Sequence, residues 1–180
     1  MTVYAAVKMR CLIGATMFLG TIGAANAADM APVSTPHYVT IVKQIDVNKP
    51  ASAVWSKVGG FCDLSKWLGK SCEIVSGSGN DIGATRKIDH QIIEVLVGKT
   101  ATSYTYSQPE MPGADVHFYH GTLDVQPVTA TTSRIVYTLF YDNSSIADPA
   151  AQKKEYDGRS AVFQKAIASM KSLAEASGKS

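Results

Sequence analysis

Nothing in the 180 residues marks a nucleic-acid binder or a nucleotide-using enzyme: there is no basic cluster, glycine-rich phosphate loop, internal repeat or low-complexity tract. A Gly-x-Ser-x-Gly elbow is also missing, which removes the hydrolases built around a serine on such a turn. No apolar run reaches the about 20 residues of a membrane-spanning helix; Cys11 to Gly23 has roughly 13. Neither sign of charge dominates. There are 17 basic and 15 acidic residues, and Lys8 and Arg10 fall within the first ten positions, so the rest of the chain is balanced. That balance argues against nucleic acid or an anionic membrane surface as the main partner. Cysteine is scarce, three in all, and CxxC spacing is absent.

What is present begins with an export pattern. Lys8 and Arg10 without an acid, the apolar stretch Cys11 to Gly23, and Ala25-Asn26-Ala27 together read as a cleavable secretory signal over residues 1–27. Cys11 follows Lys8-Met9-Arg10 and opens the apolar stretch instead of following a cleavage site, which does not suit a lipoprotein. A single domain over 28–180 is then expected in the periplasm or the medium, with no membrane insertion after cleavage. Its two remaining cysteines, Cys62 and Cys72, suit one disulfide in an oxidising compartment, and two separate buried thiols are the other reading. A bridge would tie a helical segment to the next strand and contribute about 2–3 kcal/mol.

Tyr38 to Asp46 is β-branched and extended in character, a first strand. Asn48-Lys49-Pro50 supplies a helix start, Ala51, Val54, Trp55 and Val58 recur at helical spacing, and Gly59-Gly60 stops the helix. A second short helix is expected over Asp63 to Leu68. From Cys72 the period becomes two, with strands near 72–76, 83–89, 91–97, 101–107, 116–126 and 133–142. Short connections make these an antiparallel meander. Asp148 to Ala176 is one long helix with Pro149 near its start, Gly178 past its end, and a stripe of Tyr156, Phe163, Ile167, Met170 and Leu173. The fold class is α+β: about seven antiparallel strands wrapped on a long C-terminal helix, with room left for a small molecule.

This order resembles the helix-grip (SRPBCC) superfamily of START lipid-transfer domains, birch-pollen-type allergens, polyketide cyclase/dehydrase-like proteins and abscisic acid receptors. The local matches are Ala53-Val54-Trp55, Gly83-Ala84-Thr85-Arg86, Ile93-Glu94-Val95-Leu96, Ser103-Tyr104-Thr105-Tyr106 and Tyr119-His120-Gly121-Thr122-Leu123. In the receptors a Lys before Ser-Cys and a Glu in a Glu-x-Leu strand line the pocket, and Lys70 and Glu94 stand at the similar positions here. The resemblance also implies inward-facing Tyr104, Tyr119 and Tyr137. The Ser-Gly-Leu-Pro gate and His-Arg-Leu latch of the hormone receptors are absent, so hormone reception is not implied.

Alternation independently groups residues on one face: Ile92, Glu94 and Leu96; Ile88 with His90; Tyr104 with Tyr106; His117 with Tyr119; Tyr137 with Tyr141. From the helix, Phe163 and Ile167 would close the cavity. Such walls suit a small apolar or aromatic ligand. One reading adds turnover, with Glu94 or His90 as catalytic base in a cofactor-independent lyase, cyclase or isomerase. The other pairs Glu94 with Lys70 across a pocket that only binds. A third, drawn from the resemblance, makes the chain an accessory to a periplasmic dehydrogenase, with that enzyme as protein partner. No cofactor is expected, and a metal site from His90, His117 and Glu94 lacks a spacing signature. Arg86 and Lys87 read as a solvated strand edge, and Trp55 and Trp67 as packing residues.

Overall fold

The computed structural model describes residues 35–109 and 113–176. The expected signal segment, the cleavage site and Gly178 lie outside the described residues. Ten elements follow in order: β1 (Tyr38–Val47), α1 (Ala51–Val58), α2 (Leu64–Trp67), β2 (Cys72–Ser76), β3 (Thr85–Ile88), β4 (Ile92–Lys99), β5 (Ser103–Ser107), β6 (His117–Pro127), β7 (Ser133–Asp142) and α3 (Pro149–Glu175). The strands form one antiparallel sheet in the order β1-β7-β6-β5-β4-β3-β2. This is the α+β helix-grip arrangement, a seven-stranded open sheet with a long C-terminal helix.

Period-two patterning decides what the sheet buries. Ile135, Tyr137, Leu139 and Tyr141 alternate along β7, and Tyr119, Gly121, Leu123 and Val125 along β6, all buried. Against them α3 lays Phe163, Ala166, Ile167, Met170 and Ala174, while Asp148 caps the helix by accepting from Ala150 N at 3.0 Å. Tyr156 departs from the expected stripe and is 39% exposed. It borders a shallow hollow with His37, Val39 and Asn143.

Cys62, just before α2, is bonded to Cys72, the first residue of β2, with the Cα atoms 5.5 Å apart. The bridge joins a helical segment to a strand, as expected. The strand expected over 83–89 is shorter, Thr85–Ile88. A tight turn ends it: Gln91 N donates to Ile88 O at 3.0 Å, and the central residues Asp89 and His90 have φ of 46° and 63°. Positive φ at both positions is the mark of a type I′ turn, normally given to Asn or Gly.

Candidate ligand-binding site

Between the inner face of the sheet and the helices lies a cavity of about 190 Å³. Leu64, Trp67 and Leu68 reach it from the α2 segment, and Val162 and Phe163 from α3; the sheet contributes Arg86, Ile88, Ile92, Glu94, Tyr106, Tyr119 and Tyr137. Lys70, Asp89, Gln108 and Arg159 complete the lining. A cavity of about 150 Å³ accepts benzene, so this one has room for a single ring with a short substituent.

The inner wall carries an ion pair. Arg86, expected on a solvated edge, is 1% exposed. Alternation puts it on the inner face with Ala84 and Ile88, and the β3–β4 register sets it opposite Glu94. Its Nε and Nη2 donate to Glu94 Oε2 at 2.8 and 2.6 Å, and its Nη1 donates to the Phe61 carbonyl. The guanidinium also lies 4.2 Å from the Phe61 ring centre and 4.8 Å from that of Tyr106. Phe61 is held in turn by a bond from its N–H to Asn80 Oδ1 at 3.0 Å. Each of the three Arg86 nitrogens has an acceptor and aromatic rings flank the guanidinium, which is what allows a charge to sit in the core. Burial pushes the Glu94 carboxyl above its ordinary range, and the Arg86 guanidinium opposes that push.

Lys70 does not pair with Glu94. Its ammonium reaches Asp89 at 2.6 Å, and Asp89 also accepts from Ser71 N at 3.0 Å. The turn that lifts Asp89 off the strand places its carboxylate beside the segment leading into β2, nearer to Lys70 than the inner wall is.

The tyrosines form a continuous aromatic series across the inner face. Tyr106 and Tyr137 share a hydroxyl hydrogen bond of 3.0 Å, and Tyr137 packs on Phe163 with ring centres 4.7 Å apart. Burial raises both phenols well above their usual range, so they act as neutral hydroxyls. Gly121, paired with Tyr106 across the strands, lets that ring lie close: a Cβ there would be 2.3 Å from Tyr106 Cζ and Oη. At the helix side, the Arg159 guanidinium lies 5.0 Å from the Tyr119 ring centre and 4.9 Å from that of Tyr141. Glu155 binds Arg159 Nε and accepts from the Tyr141 hydroxyl at 2.8 Å.

Of the residues singled out from the sequence, the structure brings Lys70, Glu94, Tyr106, Tyr119, Tyr137 and Phe163 to the cavity. The others lie elsewhere. His90 is exposed at the tip of the β3–β4 turn, so its expected inward position is corrected. His117 pairs in register with Asp142 at the end of the sheet, where a bulge between His117 and His120, with Phe118 at φ 52°, breaks its alternation with Tyr119. Tyr104 is buried behind Arg86, in tilted and edge-to-face contact with Trp55, Phe61 and Tyr106, and its hydroxyl has no hydrogen-bond partner among the described residues. Tyr141 turns its hydroxyl to Glu155, and Ile167 is core packing. No group of three His, Cys, Asp or Glu side chains suited to a metal occurs among the described residues. Sequence reasoning missed Arg86 and Arg159. Alternation with Ile88 carried the signal for Arg86, and helical spacing four residues before Phe163 carried it for Arg159.

No curated protein matches the sequence. Solved structures do. A protein from Nitrosospira multiformis has the same fold at 24% identity and a TM-score of 0.61, over 78% of this chain and 98% of that one. Norcoclaurine synthase from Thalictrum flavum aligns at 15% identity and a TM-score of 0.58, over 79% of this chain and 97% of its own. The di-domain ARO/CYC BexL of the BE-7585A biosynthetic pathway aligns at 17% identity and a TM-score of 0.61, over 76% of this chain and 46% of that protein. At these identities the likeness is one of fold. Residues 38–175 match the family described as polyketide cyclase/dehydrase and lipid transport, and on that match over most of its length, the chain belongs to this family.

Proposed function

We propose that this protein is an exported carrier that holds a small ring-bearing molecule in the cavity between the sheet and α3. The observation that carries the reading is the cavity itself: about 190 Å³, walled by aliphatic and aromatic side chains, with the Arg86–Glu94 pair and the Tyr106–Tyr137 hydroxyls on its inner side. Apolar walls with a few fixed polar groups are what small-molecule sites share. Family membership supports the same reading, and the disulfide supports a compartment outside the cytoplasm. Turnover is the weaker reading. His90 stands away from the cavity, and a carboxylate tied to a guanidinium is a poorer base than a lone buried one.

The test is a native mass spectrum of the protein recovered from the producing cell's periplasm or medium. The expected result is a chain beginning at Ala28 that retains a ring compound or takes one up when para-ethylphenol is added. An intact Met1 overturns export. A chain that neither retains nor takes up any ring compound overturns the carrier, and tight co-purification with a dehydrogenase in that case supports the accessory role.

A further inference from the structure

The inner wall holds charges of both signs, and their arrangement says which head group the cavity accepts. Three cations line it, and each is bound to a carboxylate: Arg86 to Glu94, Lys70 to Asp89 and Arg159 to Glu155. Arg86 is the deepest and the most fully committed. Two of its nitrogens go to Glu94 Oε2 and the third to the Phe61 carbonyl, with aromatic rings covering its faces. An incoming carboxylate would therefore meet a guanidinium whose charge Glu94 already balances, and would add a second negative charge to a cavity whose lining cations are each already paired with a carboxylate.

Neutral hydroxyl recognition is provided for. One hydroxyl of the Tyr106–Tyr137 pair donates to the other and Tyr119 also hydrogen-bonds Tyr106, so three phenols joined by two mutual bonds leave one O–H and some lone pairs available to a further partner. No described side chain donates to Glu94 Oε1, since both Arg86 bonds end on Oε2. A ligand hydroxyl can thus accept from a tyrosine and donate to Glu94 or to a tyrosine oxygen.

We propose that the cavity selects neutral, hydroxyl-bearing single-ring compounds and rejects their carboxylate analogues, and that the Arg86–Glu94 pair sets this selectivity by cancelling its own charge. The proposal rests on the carrier reading above and names its ligand class.

The test compares two probes of matched shape, para-ethylphenol and para-ethylbenzoate, titrated into the full-length exported protein at neutral pH and followed by calorimetry. The wild type should bind the phenol, and the benzoate at least about 30-fold more weakly, the burial of a lone carboxylate being that unfavourable. Glu94→Gln leaves Arg86 uncompensated while keeping an acceptor, and should invert the preference toward the benzoate. Arg86→Met should do the reverse, favouring para-methylbenzylammonium over both. The wild-type comparison needs no variant, so a poorly folding substitution does not remove the test. Equal wild-type binding of phenol and benzoate, or a Glu94→Gln protein that folds and keeps the wild-type preference, overturns the proposal while the carrier reading stands. Failure to bind any ring compound overturns the carrier reading and the proposal together.

Discussion

Glu94→Leu and Arg86→Met remove opposite halves of one buried pair, and their costs should depend differently on pH. The side chains are 2% and 7% exposed for Arg86 and Glu94, so little of either charge faces bulk water. A guanidinium keeps its proton at any working pH. In Glu94→Leu the charge therefore remains buried, with the Phe61 carbonyl as its acceptor and the Phe61 and Tyr106 rings as its surroundings. Breaking such a pair costs about 3–5 kcal/mol, which for a domain of this size lowers Tm by about 6–20 °C. Arg86→Met leaves a carboxyl instead, and a carboxyl can take up a proton. Burial already holds Glu94 above the ordinary range, and the variant removes the guanidinium that opposes it. With the folded value above the unfolded value of about 4.3, the folded state carries a proton across that window which the unfolded chain has released. Stability then falls with rising pH through the window, by at most about 1.4 kcal/mol per unit, and is fully recovered below it. Urea unfolding of both variants, followed by tryptophan fluorescence at about pH 5 and about pH 8, should show Arg86→Met losing more stability between the two than Glu94→Leu, which has no carboxyl left to titrate. Equal slopes, or losses under about 1 kcal/mol in both, would mean that the pair is hydrated and the reasoning wrong.

Two further outcomes are expected. Reduction of the Cys62–Cys72 bridge, which closes a separation of 10 residues, should lower stability by about 2–3 kcal/mol in urea melts, matched by a Cys62→Ser/Cys72→Ser double variant; full alkylation of both thiols in unreduced, denatured protein would rule the bridge out. Gly121→Ala should cost about 1–3 kcal/mol and abolish uptake of para-ethylphenol, because the new methyl drives the Tyr106 ring toward the cavity. Normal uptake by a Gly121→Ala protein would place the binding site elsewhere.

Much of the fold was legible because each layer has its own period. The alternation of Ile135, Tyr137, Leu139 and Tyr141 and the helical spacing of Phe163, Ile167 and Met170 place those side chains in the core without further information. The two histidines were misplaced for one shared cause. The described non-glycine residues with positive φ are Asp89, His90 and Phe118, and each lies at or beside a misplaced histidine. At such positions the strand stops or bulges and alternation no longer propagates. Glycine or asparagine would have announced the break, whereas Asp-His and Phe give no such notice.

Arg86 was hidden by a different conflict. Alternation faces Ile88 inward and requires the same of Arg86, two residues before it, but the general exposure of arginine favours the opposite face. The conflict is resolved by register, which a single strand does not contain. Ile88 pairs with Ile92 and Arg86 with Glu94, a pairing fixed by the turn between them. A slip of one residue would set Lys87, or the residue before Arg86, against Glu94 and leave the buried carboxylate facing a side chain that points away. The turn at Asp89–His90 therefore does two things at once: it sets the cross-strand partner that makes a buried charge tolerable, and it lifts Asp89 to where it holds Lys70. The ion pair and the turn support each other, since the cost of an unpaired Arg86 penalises every register but this one.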